Sequence, residues 1–206
     1  MALNIPQPEQ YTLPSTAHVP NSPMPVLVYR NVLPMPRTME VTQEFIESHG
    51  WSRQGIVWPA IYTRHFHPNV HECYAILSGH SEVLMGVGKL DNANGHKPED
   101  HDSEEIGLFL TLREGDVIVH PAGTGHAKIS DERDYRYLSF FPSGSPRWVS
   151  CNGDTELDRD DPLAETMAVP TPPDPVLGNY GHLNALWSGP RRAYFSKAGS
   201  KAGKCS

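Results

Sequence analysis

Between residues 58 and 141 the chain is cut at close intervals by glycine, proline and asparagine into short runs rich in Val, Ile, Tyr and Phe. Such runs suffice for strands but fall short of the roughly ten or more periodic residues a helix needs. The spacing predicts strands over 25–30, 58–67, 72–78, 82–86, 107–112, 117–119, 126–130 and 135–141, with Gly79-His80 as a hairpin turn. One stretch differs: Val41, Phe45 and Ile46 recur at helical spacing after Thr38, and Gly50 follows as a stop signal. The 20 prolines and 17 glycines among 206 residues point the same way, so the expected class is all-β, a sandwich or barrel with one N-terminal helix.

Chemistry concentrates in two places. The first is His65-Phe66-His67-Pro68-Asn69-Val70-His71-Glu72, followed by Gly79; the second runs from Gly115 through Pro121-Ala122-Gly123-Thr124-Gly125 to His126. Strand side chains alternate faces, so His65 and His67 point the same way. Pro68 and Asn69 turn the chain before Glu72 opens the next apolar run, which sets a carboxylate beside the pair. His126, after its own glycine and proline punctuation, returns toward the same interior. Three imidazoles and one carboxylate suit iron, manganese, nickel, cobalt, copper or zinc, whereas calcium and magnesium sites are built mainly from oxygen.

A net charge of -7 argues against nucleic acid as a partner, since phosphate binding needs a basic stripe. No apolar run approaches the roughly 20 residues that cross a bilayer, and the first residues lack a basic leader, so a cytoplasmic protein without a membrane partner is expected. The cysteines Cys73, Cys151 and Cys205 are widely spaced and odd in number, which fits a reducing compartment. Cys73 faces away from Glu72 and reads as core packing.

Three regions follow: an N-terminal arm over 1–24, a barrel domain over 25–150, and an extension over 151–206 that wraps the barrel and frays at its end. A polar loop over 88–105 holds His96 and His101. His71 should point away from Glu72, and His80 and His120 read as surface or packed residues. Lys128 and Ser130 share the face of His126, which puts them either inside the barrel mouth or at its rim; Tyr74 and Ile76 share the face of Glu72 and should line a cavity or the core.

The first stretch resembles motif one of the cupin superfamily, His-x-His, three or four residues, Glu, six residues, Gly, met here by His65, His67, Glu72 and Gly79. The second resembles motif two, met by Gly115, Pro121, Gly123 and His126. Pro59 stands where the pattern has a glycine, and Ser130 where it has an asparagine. Residues 20 to 187 are similar to the single-domain YjlB-like branch, on Asn21-Ser22-Pro23-Met24-Pro25-Val26-Leu27-Val28-Tyr29, Phe45-Ile46-Glu47-Ser48-His49-Gly50-Trp51 and Asp174-Pro175-Val176-Leu177-Gly178.

That resemblance implies a double-stranded β-helix, or cupin jelly-roll barrel, holding one divalent transition metal on His65, His67, Glu72 and His126. The leading expectation is a non-haem iron dioxygenase acting on a small organic molecule, with Tyr74 and Lys128 as pocket residues. A metal-dependent isomerase or lyase that stabilises an enolate, and a non-enzymatic metal- or small-molecule-binding cupin, are the alternatives. A homodimer is expected, because the N-terminal arm and the strand edges of a small barrel invite a second copy.

Overall fold

The computed structural model describes residues 7–91, 107–157 and 163–202. In chain order these form β1 (Glu9–Tyr11), β2 (Val26–Tyr29), α1 (Met39–Glu47), β3 (Trp51–Trp58), β4 (Glu72–Met85), β5 (Leu108–Arg113), β6 (Val117–His120), β7 (His126–Pro142), α2 (Ala164–Ala168) and α3 (His182–Ala202). The strands make one antiparallel seven-stranded jelly-roll sheet in the order β1-β2-β6-β4-β7-β3, with β5 added to β4. His96, His101, Lys204 and Cys205 lie outside the described residues.

Period-two alternation divides the core between two faces of the sheet. Leu27, Tyr29, Cys73, Ala75, Val117, Val119, Leu138 and Phe140 pack on one face with Ile46 of α1 and with Leu183 and Trp187 of α3. Their neighbours Val26, Val28, Tyr74, Ile76, Ile118, Tyr135 and Tyr137 turn to the other face and fill the barrel interior. Burial on both faces is why these strands read as continuous apolar runs.

α1 starts where expected. Thr38 accepts a hydrogen bond from Val41 N at its N-terminus, and Gly50, at φ +84°, turns the chain into β3 beyond the Ser48 cap.

Four expectations are corrected. Gly79-His80 is not a hairpin turn: β4 runs unbroken for 14 residues, and its register against β7 shifts around Ser78. Gly79 takes φ +68°, and a Cβ there would lie 2.4 Å from the Glu132 carbonyl oxygen, so only glycine fits this bulge. Beyond it β4 exchanges β6 for β5 as its neighbour, which bends the sheet around the interior. The segments 126–130 and 135–141 are one strand, β7, because the polar Asp131 and Glu132 stay paired with Ser81 and His80.

The strand expected over 58–67 ends at Trp58, where Pro59 interrupts it, and His65 and Phe66 are held only by isolated bridges to His126 and Cys151. A single helix near the N-terminus was expected, but the C-terminal extension adds α2 and the 21-residue α3. Its apolar positions Leu183, Leu186, Trp187 and Tyr194 are split by Gly189-Pro190, punctuation that reads as a helix break in the sequence. Trp187 is fully buried and donates its indole N–H to the Pro25 carbonyl at 2.9 Å, which fastens the extension to β2.

Candidate metal centre

Backbone hydrogen bonds sew the two chemical stretches together. His65 and His126 exchange N–H···O bonds of 3.2 and 2.9 Å, and Gly123 N donates to the His67 carbonyl at 2.7 Å. β6 brings His120 opposite Glu72 on β4, and the last turn of that pairing delivers the chain into His126. As a result one ligand atom each from His65, His67, Glu72 and His126 falls within 4.8 Å of the others. His67, Glu72 and His126 are buried and His65 is half-buried.

The hydrogen bonds around the cluster determine which atoms face inward. His65 Nδ1 lies 2.9 Å from the Thr63 carbonyl, His67 Nδ1 2.7 Å from the Val149 carbonyl and His126 Nδ1 2.9 Å from the Thr124 carbonyl. A carbonyl oxygen only accepts, so each Nδ1 carries the proton and each Nε2 turns inward. His67 Nε2 and His126 Nε2 stand 3.4 and 3.2 Å from Glu72 Oε2. Ser139 donates to the other carboxylate oxygen at 2.7 Å, which fixes the rotation of the group, and the Tyr74 hydroxyl donates to Oε2 at 3.0 Å.

Nitrogen lone pairs aimed at carboxylate lone pairs repel unless a positive charge lies between them. A proton on an inward Nε2 can also supply that charge, and the shifts in the cluster follow such proton sharing. Burial would raise Glu72, but hydrogen bonds with His126 and His67 hold it well below the usual carboxylate range. Burial would lower His67, yet the hydrogen bond and charge of Glu72, with the Val149 carbonyl, keep it above its ordinary value. At His65 burial prevails, helped by the neighbouring His126, and lowers the imidazole to about 3.

Of the remaining expected residues, Tyr74 and Lys128 both lie in the barrel interior. Burial and the charge of Glu72 push the Tyr74 phenol far up, so it stays a hydrogen-bond donor. Lys128 is only 4% exposed, which overturns the rim reading, while Ser130 is exposed and stands apart from the interior. Burial lowers Lys128 to about 7, opposed by the charge of Glu72. Ile76 is in the interior core, and His71 points the other way, packing on Trp187 and accepting from Ala122 N at 2.8 Å.

Three contributors escaped the sequence reading. His120, read as a surface or packed residue, stacks on the His126 ring at 4.5 Å, and only the strand pairing with Glu72 would have placed it there. Ser139 follows Tyr135 and Tyr137 on the inward alternation of β7, a signal that was available. Asn69 brackets Val149, accepting from its N–H and donating to the Arg147 carbonyl, both at 2.9 Å, and so fixes the carbonyl that orients His67.

A cavity of about 150 Å³ opens onto the cluster, with walls that include Trp58, Ile61, Tyr137, Phe141 and Trp148. Phe141 and Trp148 stack face to face at 5.0 Å.

A family model described as Cupin matches residues 59–154, the span that contains all four converging side chains. Over 182 residues, 87% of this chain and 96% of the relative, the chain is 27% identical to Uncharacterized protein YjlB of Bacillus subtilis strain 168. Among solved structures, the chain is similar to the oxalate decarboxylase formate complex of Lactobacillus farciminis, at 20% identity and a TM-score of 0.29, over 45% of this chain and 22% of that one. It is also similar to procruciferin, an 11S globulin of Brassica napus, at 12% identity and a TM-score of 0.34, over 68% of this chain and 30% of that one. The chain thus spans less than a third of the length of either. Among the described residues, no helix is long and apolar enough to cross a membrane.

Proposed function

We propose that this cupin is a metal-dependent oxidoreductase, dioxygenase-like in class, that acts on a small organic molecule at a single divalent transition ion held by His65, His67, Glu72 and His126. Iron is the first choice, and manganese, nickel, cobalt, copper and zinc share the same donor preferences. The carrying observation is the direction of the lone pairs. Three Nδ1–H groups are tied to carbonyls, which turns the Nε2 atoms and Glu72 Oε2 toward one another, with the Tyr74 hydroxyl beside them at 3.0 Å from Oε2 and 3.1 Å from His126 Nε2.

The chain's own groups divide the remaining work. Ser139 holds one Glu72 oxygen so that the other faces the centre, and Tyr74 offers a neutral hydroxyl 3.0 Å from that second oxygen. The aromatic walls offer apolar contact, and a cavity of about 150 Å³ lies below the range of drug-sized pockets, which favours a substrate of few heavy atoms. A redox-active ion at the centre would relay electrons from the substrate to dioxygen, whereas a redox-inert one would supply Lewis acidity for isomerase or lyase chemistry.

Elemental analysis of freshly purified protein, followed by oxygen uptake with the iron-loaded form against enolic and phenolic substrates, tests the reading. Metal at one ion per chain with substrate-dependent oxygen consumption is expected. Turnover without oxygen consumption moves the assignment to the isomerase or lyase class. Ligand binding without turnover for any ion moves it to a binding cupin. We place the protein in the cytoplasm, in keeping with the free thiols of Cys73 and Cys151, and as a homodimer sealed along the β1 edge, which sedimentation checks directly.

A further inference from the structure

Among the described residues around the cavity, the apolar walls are the rings of Trp58, Tyr74, Tyr137, Phe141 and Trp148, with Ile61 the only aliphatic side chain. Four of these rings hold one another in pairs. Phe141 and Trp148 lie parallel, their planes 3° apart and their centroids at 5.0 Å, while Tyr74 and Tyr137 are tilted at 50° with centroids at 4.4 Å. The His67 ring meets Phe141 edge to face at 5.8 Å, which ties the aromatic wall to the four-residue cluster. Walls set by such contacts are preformed, so a ligand that fits them has little left to order on arrival.

Size narrows the occupant. A volume of about 150 Å³ matches an apolar cavity that takes one benzene-sized ring. Aromatic faces and edges carry opposite partial charges, so rings packed around a ring gain contacts that a saturated ring of the same size lacks. His65, His67 and Glu72 belong to the same wall, so a ring held there presents its substituents to the converging side chains. We infer that this cavity, as the substrate space of the proposed metal centre on which this assignment rests, is a slot for a single aromatic ring that carries a hydroxyl. The substrate class is therefore a monocyclic phenol, with its ring against the paired aromatic walls and its oxygen toward His65, His67 and Glu72.

Phenol, cyclohexanol and naphthol are the probes, followed by NMR titration of metal-free and zinc-loaded protein. The metal-free wild type should bind phenol about two- to tenfold more tightly than cyclohexanol, the gain from roughly one aromatic pair, and should bind naphthol more weakly than phenol. Zinc should leave that order unchanged. Trp148→Leu, at a half-buried wall position, should lower the affinity for phenol by a similar factor and leave that for cyclohexanol nearly as it was. The slot is overturned if the metal-free wild type binds cyclohexanol as tightly as phenol, or naphthol more tightly, and neither comparison depends on a variant that folds. Unchanged phenol affinity in folded Trp148→Leu overturns it as well. A wild type that holds zinc without telling the two alcohols apart keeps the metal centre and loses the phenol slot, whereas one that binds no zinc but prefers phenol does the reverse.

Discussion

Asn69→Ala isolates the support of one candidate ligand without touching the ligand. The amide makes two hydrogen bonds of 2.9 Å to the segment carrying Val149, and the Val149 carbonyl takes the His67 Nδ1 proton at 2.7 Å. At about 0.5–1 kcal/mol each for partly exposed bonds, their loss destabilises the protein by about 1–2 kcal/mol, or roughly 2–8 °C in melting temperature for a chain of this size. Outer partners of metal-bound histidines typically contribute about 10–100-fold to affinity, so the variant should bind its ion that much more weakly, a loss of about 1.4–2.7 kcal/mol. Competition against a chelator of known affinity, alongside thermal melts with and without the ion, measures both quantities. Asn69→Asp, which keeps the acceptor for Val149 N–H, should fall between. Unchanged metal affinity in a variant whose melting temperature has dropped would refute the idea that Asn69 acts through His67.

His65→Ala, His67→Ala or His126→Ala should each strip the ion and leave the fold, as read by elemental analysis and circular dichroism; one ion per chain in any purified variant would remove that residue from the ligand set. Metal occupancy should fall as the pH drops through about 6.5, with the raised His67 taking a proton first, and unchanged occupancy at pH 5 would contradict imidazole ligation. In the metal-free protein His65 and His71 are both held at about 3, below the unfolded value. Their contribution to stability is therefore lost as the pH falls from about 6.5 toward 3, while that of His67 has the opposite sign and grows over its own raised range; acid titration of the His65→Gln variant should show a shallower loss. Trp187→Ala removes a fully buried ring and its bond to Pro25, and should cost about 3–5 kcal/mol in urea unfolding with little change in metal affinity, since the ring lies on the opposite face of the sheet from Glu72.

Much of this protein is written locally. Alternation along 72–77 and 117–119 placed Tyr74 and Ile118 on one face and Cys73 and Val119 on the other, because a strand's period of two leaves no other choice. The four converging side chains were legible for the same reason, as imidazole and carboxylate at fixed offsets within two punctuated stretches. What the sequence left open was decided by contacts between distant residues. Whether Gly79 ends a strand or bends one depends on the Glu132 carbonyl that sits 2.4 Å from where a Cβ would be, and nothing near Gly79 announces it. The inward turn of each Nε2 is set by carbonyls of Thr63, Thr124 and Val149, groups every residue carries, whose positions exist only once the sheet has closed. Lys128 is the clearest instance: a lysine near a strand end is solvated by default, and only the assembly of three tyrosine rings around it by β4 and β7 places it inside.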